Sequence, residues 1–469
     1  MDYNKMSTNS FNDFFLSWMP DRSKLSRPCY LALANMLEED IVSGKLAAGT
    51  RLPPQRELAD FLELNFTTVT RAYNLCREKN LIYGVIGSGT FVAPLPGNNK
   101  LNNPSTSGKI IEMGLVTGFD QLRAPVLEAT ENVLQKGYIN ELYTYTEPAG
   151  HLHQRAAGAH WMSQMQVKTD SEHTAIFSGA QNAISSALLS LFRIGDHLAV
   201  DEYTYSNLIG AARLWHIALI PIPGDGDGMQ PDELESACRK YNIRGVFLMP
   251  NCANPTTRTI PEKRKDELAE VIARNKLLLL EDDNTGIVQL NSSASCSMYS
   301  RLPEQTLYIC SSTMALCSGL RVAFAAFPEA CRQQLLNALF HLNIKTSSLD
   351  AEIMTELILS GKAARILTEK AALAQERNKL FDSIFPEAVV PGSPAAFFRW
   401  LPLPQLDCNG MELERVLLRE NINVYASYRF TVLRNPEGFL RIAISSPSSV
   451  EELRNGLLTL RKTLDSHRV

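Results

Sequence analysis

The chain has 469 residues, 45% of them apolar and 20% charged, with 46 basic against 50 acidic side chains and a formal net charge of −4. That length exceeds what one core serves, so two domains or more are expected, and the slightly acidic balance leaves any nucleic-acid partner to be argued from local pattern. No run of 18 apolar residues occurs, and MDYNKMSTNSFNDFF lacks a basic start and an apolar middle, which argues against a membrane span or a secretory signal.

Nine cysteines, odd in number and scattered without paired spacing, read as reduced thiols in a cytoplasm rather than a disulfide framework or a zinc site. Residues 1–27 are expected to be an extension. From 28 to 95 the pattern sharpens. Leu31, Leu33, Met36, Leu37 and Ile41 recur at helical spacing, with Gly44 as the stop. Pro53 and Pro54 open a second helix carrying Leu58, Ala59 and Leu62. A third follows with Val69, Ala72, Tyr73 and Cys76, capped by Thr67 or Asn65. LIYGVIGSGTFV then predicts a small hairpin around a glycine turn.

Helix, helix, turn, helix and hairpin is the layout of a winged helix-turn-helix, whose third helix enters the major groove. Asn65, Thr67, Thr68, Thr70 and Arg71 then reach phosphates or base edges. Arg51 and Arg56 lie where a helix start meets the backbone, and Gly87, Ser88 and Gly89 form the wing tip. Six basic residues face seven acids here, so the segment is not basic overall. Three of those acids fall on the first helix, whereas Arg51, Arg56 and Arg71 fall at or near the second and third.

The phrases LPPQRELA, TTVTRAY and GSGTFV resemble the GntR family of bacterial regulators. The resemblance implies contact with double-stranded operator DNA by Arg56, Asn65, Thr67, Thr68 and Thr70. Phe66 stands where relatives often carry a basic or polar residue, so no operator sequence is implied.

Residues 96–110 fall in a stretch rich in Pro, Asn, Ser and Gly and read as a tether. Across 111–469 apolar strand-like runs (TAIFS, HLAV, IALIPI, GVFLMP, KLLLLED, TLYIC, VAFAAF) alternate with helical ones, which predicts an α/β domain with a mostly parallel sheet and a site at its strand ends. Those ends carry Ser178, Gly179, Ala180 and Gln181 opening a helix suited to a phosphate, then Tyr205, Asn254, Asp282, and the stretch SSTMALCSGLR with Arg321. Singly, each has a packing explanation: strand-end aspartates cap helices, and Asn-Pro makes turns. Five in order on successive strand ends point to a ligand.

That order resembles the fold-type I, pyridoxal-phosphate-dependent aminotransferases over about residues 112 to 465, and the whole chain resembles the MocR subfamily. The resemblance implies a phosphate cup of Ser178, Gly179, Ala180, Gln181, Ser311, Thr313 and Arg321, with Tyr205 stacked on the pyridine. It makes Asn254 the partner of the ring hydroxyl and Asp282, ahead of Asp283, the partner of the ring nitrogen. Arg441 takes a carboxylate, and YTEPAG (145–150) lies near the site. It also implies a homodimer reading two half-sites.

Counting back from Arg321, the lysine that relatives use to hold the cofactor covalently falls at Met314, whose thioether can neither form that bond nor move a proton. No lysine lies between Lys276 and Lys345. Thr257 replaces a usual glycine, and the tyrosine expected just after Asp282 is absent. The chain is therefore expected to be a regulator with a catalytically inactive aminotransferase-like domain, binding pyridoxal or pyridoxamine phosphate, if either, without a covalent bond. Another small anionic effector, or a purely structural dimerisation scaffold, stays open. The rival reading is an aminotransferase with an accessory DNA-binding module. His151, His153 and His160 cluster, but without ligand spacing for a metal.

Overall fold

A computed structural model describes residues 17–43, 45–47, 49–79, 81–85, 89–93, 110–289, 296–388, 393–434 and 436–468. Gly44, Gly87, Ser88 and nearly all of the expected tether lie outside these residues. Internal contacts divide the chain into two units, Met1–Ser107 and Gly108–Val469.

In the first unit α1 (Cys29–Val42) buries Leu33, Ala34, Leu37 and Ile41. After the Pro53-Pro54 pair, α2 (Gln55–Leu62) buries Leu58, Ala59 and Leu62, and it ends where Glu63 turns into the left-handed region at φ 47°. Asn65 caps α3 (Phe66–Glu78) by accepting from the Thr67 N–H. The Tyr73 hydroxyl donates to the Pro53 carbonyl at 2.9 Å and fixes the α2–α3 approach. The antiparallel pair β1 (Ile82–Val85) and β2 (Gly89–Val92) completes the unit. Its core also takes in Trp18, from the segment expected to be an extension. Trp18 is 3% exposed, with its indole N–H donating to Asp40 at 2.8 Å.

The second unit is built on a seven-stranded sheet: β3 (Thr174–Phe177), β4 (His197–Asp201), β5 (Ala218–Ile222), β6 (Ile243–Leu248), β7 (Leu278–Asp282), β8 (Thr306–Ser311) and β9 (Ala323–Ala326), in the order β3-β9-β8-β7-β6-β4-β5. All pairings are parallel except those of β9, which runs antiparallel to both neighbours. β3, β8 and β9 are buried along their whole length, as continuous apolar runs covered on both faces require. β9's reversal has a functional consequence: its entering end, which follows Arg321, lies at the edge where the other strands finish. Ser311 pairs with Ala323, and Ala323 with Phe177.

A smaller three-stranded antiparallel sheet, β10 (Phe398–Pro402), β12 (Phe439–Ala443) and β11 (Tyr425–Ala426), has its own core. The 23-residue helix Lys362–Ile384 serves both cores, placing Ile366, Leu367 and Ala374 in the large one and Leu380 and Phe381 in the small one.

Candidate functional site

In the winged-helix unit Arg51, Arg56, Asn65, Thr67 and Arg71 are exposed, and Thr68 and Thr70 are half-buried. Several of their polar atoms are already engaged. Asn65 Oδ1 accepts from the Thr67 N–H at 3.0 Å and from its hydroxyl at 2.9 Å; the Thr70 hydroxyl lies 2.9 Å from Gln55 Oε1 and 3.0 Å from the Phe66 carbonyl. The Arg71 guanidinium lies 4.1 Å from the Tyr30 ring centroid and that of Arg56 lies 5.8 Å from the Phe66 ring. Arg51 lies over Gly89, where an added Cβ would come within 3.1 Å of its Nε. The arginine is thereby brought to the hairpin.

In the larger unit the strand ends converge as the sequence orders them. Gly179, at φ 83°, follows β3 and precedes the helix Ala180–Leu191; a Cβ there would stand 2.7 Å from Arg321 Nη2. The backbone conformation calls for glycine, and a Cβ there would also crowd the guanidinium beside it. Arg321 donates to the Thr313 hydroxyl at 3.1 Å, and Ser311 caps the one-turn helix Ser312–Ala315 and bonds Thr313 at 3.0 Å. Gly179, Ser311, Thr313 and Arg321 thus form one cup. The Ser178 side chain is held instead by Asn343, at 2.5 Å, and Thr346, at 3.3 Å. Gln181 Nε2 donates to the Asn207 carbonyl at 3.3 Å, leaving its buried Oε1 without a partner.

Burial raises the pKa of the Tyr205 phenol, Asp282 nearby raises it further, and Arg441 and Arg321 oppose this, so all four side chains share one electrostatic neighbourhood. Asp282 is fully buried and neither carboxylate oxygen has a hydrogen-bond partner. Burial, with the charge of Asp283 beside it, pushes its pKa up to about 7 against a smaller pull from Asn284. Arg441, 5% exposed, donates to Asn254 Oδ1 at 3.1 Å and to the Gly114 carbonyl, and its Nε has no partner. Its guanidinium lies 5.3 Å from the Tyr425 ring and 4.8 Å from Phe430, and it pairs with no carboxylate among the described residues. Burial lowers its pKa to about 10. A desolvated anion and a desolvated cation, both short of partners, are what a site for a zwitterionic or anionic ligand presents.

Met314 is half-buried and packs against the large core. The loop that carries it is gripped from behind. Lys370, fully buried, donates from Nζ to the carbonyls of Met314 (3.1 Å) and Leu316 (2.8 Å), and burial lowers its pKa to about 8. A Cβ at Gly118 would meet the Met314 carbonyl oxygen at 2.8 Å, so the 114–118 segment also lies against this loop. Thr257, in place of the usual glycine, sits at φ 59°, a conformation that costs a β-branched residue about 1 to 2 kcal/mol. Lys370, Gly118 and Tyr425 were missed by sequence reasoning, and their only signals are contacts distant in sequence. His153 Nε2 lies 2.7 Å from Glu352. Among the described residues only Asp407, Cys408 and His467 bring three possible ligand atoms close together.

Residues 29–92 match the family described as bacterial regulatory proteins, gntR family, and residues 114–457 match aminotransferase class I and II. The HTH-type transcriptional regulator YdeF of Bacillus subtilis is 34% identical over 98% of this chain and 99% of its own. The chain belongs to the MocR type of GntR regulators. The vitamin B6 salvage pathway transcriptional repressor PtsJ of Salmonella typhimurium is 28% identical over 64% of this MocR-type chain and 67% of its own. Among solved structures, LysN, the alpha-aminoadipate aminotransferase of Thermus thermophilus, superposes with a TM-score of 0.69 at 22% identity, covering 76% of this chain and 92% of that one. The large unit therefore has the fold-type I aminotransferase fold. No helix among the described residues is long and apolar enough to cross a membrane.

Proposed function

We propose that this MocR-type regulator acts in the cytoplasm as a homodimer, binding double-stranded operator DNA through its winged helix and sensing a small anion in its aminotransferase-like unit, where it no longer catalyses. The DNA-facing set is Arg51, Arg56, Asn65, Thr67, Thr68, Thr70, Arg71 and the wing residues Gly87, Ser88 and Gly89. We divide the chain into a DNA-binding domain (28–95), a tether (96–110) and a ligand domain (111–469), which the separation of internal contacts after Ser107 supports.

The ligand that the residues fit best is pyridoxal or pyridoxamine phosphate. Arg321, Thr313, Ser311 and the 178–181 turn hold the phosphate, Tyr205 covers the ring, Asn254 meets its hydroxyl and Asp282 its nitrogen. Such a group would supply an electron-withdrawing ring and, in the aldehyde form, a carbon open to amines. Arg441 is left for a carboxylate. The observation that carries the reading is the buried Asp282 carboxylate, both of whose oxygens lack a partner, together with a buried Arg441 that bonds only neutral oxygens, on a strand-end edge whose lysine position is Met314. The PtsJ name, which links that relative to vitamin B6, supports the same ligand. The aminotransferase reading draws on the family match over residues 114–457 and on the fold, but a thioether at 314 leaves it no amine on that loop.

An absorbance titration with pyridoxal phosphate tests this: saturable binding that dialysis reverses and borohydride does not trap is expected. Borohydride-stable attachment of the cofactor to the wild-type chain would overturn the noncovalent reading. Such a ligand regulates only by favouring one arrangement of the winged helices over another.

A further inference from the structure

On the face of α3 one side chain is out of keeping with its neighbours. Phe66 is the first residue of the helix, is 43% exposed and takes no part in the core of its unit. The polar residues around it each make a contact inside the domain as well: Asn65 and Thr67 bond each other, Thr70 is bonded to Gln55, and Arg71 lies over Tyr30. The entering end of α3 therefore presents a phenyl ring with the Arg56 guanidinium 5.8 Å away.

A ring of that kind neither donates nor accepts. The floor of the major groove is lined by donors and acceptors, and its distinctive apolar group is the C5 methyl of thymine. The first residues of a recognition helix are the ones that meet base edges. We propose that Phe66 is a specificity-determining residue that packs on a thymine methyl in each half-site, with Arg56 beside it on the adjoining phosphate. This rests on the DNA-binding reading and adds to it the base that is read.

The probe is a set of duplexes selected by the full-length protein from a random-sequence pool, with each thymine of a half-site replaced in turn by uracil, which removes only the methyl. At fixed salt, one position per half-site should weaken binding about fourfold, the worth of one buried methyl group. Phe66→Ala should bind thymine and uracil duplexes alike, and Phe66→Leu should keep part of the preference. Because Phe66 lies outside the core, neither substitution opens a cavity in it; Phe66→Ala removes the ring beside Arg56, and the uracil series on the wild-type protein needs no variant at all. Equal binding of the wild type to every uracil duplex, or an unchanged preference in Phe66→Ala, overturns the inference and leaves the DNA-binding reading standing. Failure to enrich any sequence overturns both.

Discussion

Asp282 and Asp283 are neighbours in the chain with opposite surroundings. Asp283 accepts from the Tyr308 hydroxyl at 2.9 Å and from Asn251 at 3.4 Å, whereas both oxygens of Asp282 lack a partner. Asp283 is tied into the fold, and Asp282 is the carboxylate that the proposed ligand would meet.

Asp282→Asn should therefore abolish pyridoxal phosphate binding while stabilising the ligand-free protein. Burial holds the folded carboxyl at about 7, above its ordinary value of 3.8. Its contribution to stability is complete below about pH 4 and is lost as pH rises through 7. At pH 8 the variant should be more stable by about 2 to 4 kcal/mol. Denaturant unfolding at pH 5 and pH 8 checks the sign, since the gap must widen with pH.

Restoring an amine to the loop is the direct test of what Met314 removes. Met314→Lys should convert reversible cofactor binding into attachment that borohydride makes permanent, read by mass spectrometry as one added cofactor per chain. Unaltered, dialysable binding would show that residue 314 does not face the ligand.

On the DNA side, Arg56→Ala, which removes the proposed phosphate contact, should weaken binding about equally across sequences and reduce the salt slope by about 1. Thr67→Ala removes one of the two bonds Asn65 makes at the cap, so its loss of affinity should come with a small fall in melting temperature. Gel shifts at two salt concentrations, with a thermal melt beside them, separate these effects.

Glu352 supplies a pH test at a residue outside both proposed contact sets. Burial raises its pKa, but hydrogen bonds from Gln154, Tyr138, His153 and Lys136 outweigh that and hold it at about 2, below its ordinary value of 4.5. The stability it contributes is present above about pH 4.5 and is lost as pH falls toward 2. Glu352→Gln should cost about 2 kcal/mol at pH 7 and little at pH 2.5, measured by denaturant midpoint.

The proposed dimer also has a direct check. Leu127 and Leu134 are 57% and 49% exposed on one helix, seven residues apart and so on one face, and Tyr143 and Tyr145 are 69% and 82% exposed nearby in sequence. Sedimentation should give twice the 52.1 kDa chain mass, and the pair Leu127→Asp with Leu134→Asp should halve it.

Much of this molecule was legible in its sequence because the decisive signals are local. The α3 cap at Asn65 and the helix start after Gly179 each depend on a few consecutive residues, and the strands from β3 to β9 stand out as short apolar runs between helices. What stayed hidden depends on residues far apart. Trp18 reads as a stray aromatic until Asp40 meets it, and nothing in the run around Lys370 says that its ammonium ends on a carbonyl 56 residues away. The preference for Asp282 over Asp283 comes from the family resemblance; what occupies Asp283, the Tyr308 hydroxyl and Asn251 on other strands and loops, has no local signal.

The grip of Lys370 on the Met314 and Leu316 carbonyls reaches further than loop stability. Because it holds main-chain oxygens and no side chain, this anchor of the loop does not depend on what residue 314 carries. Anchorage of the main chain and chemistry of the side chain are thus held by different groups at this spot, so a lysine placed at 314 would inherit the same main-chain support.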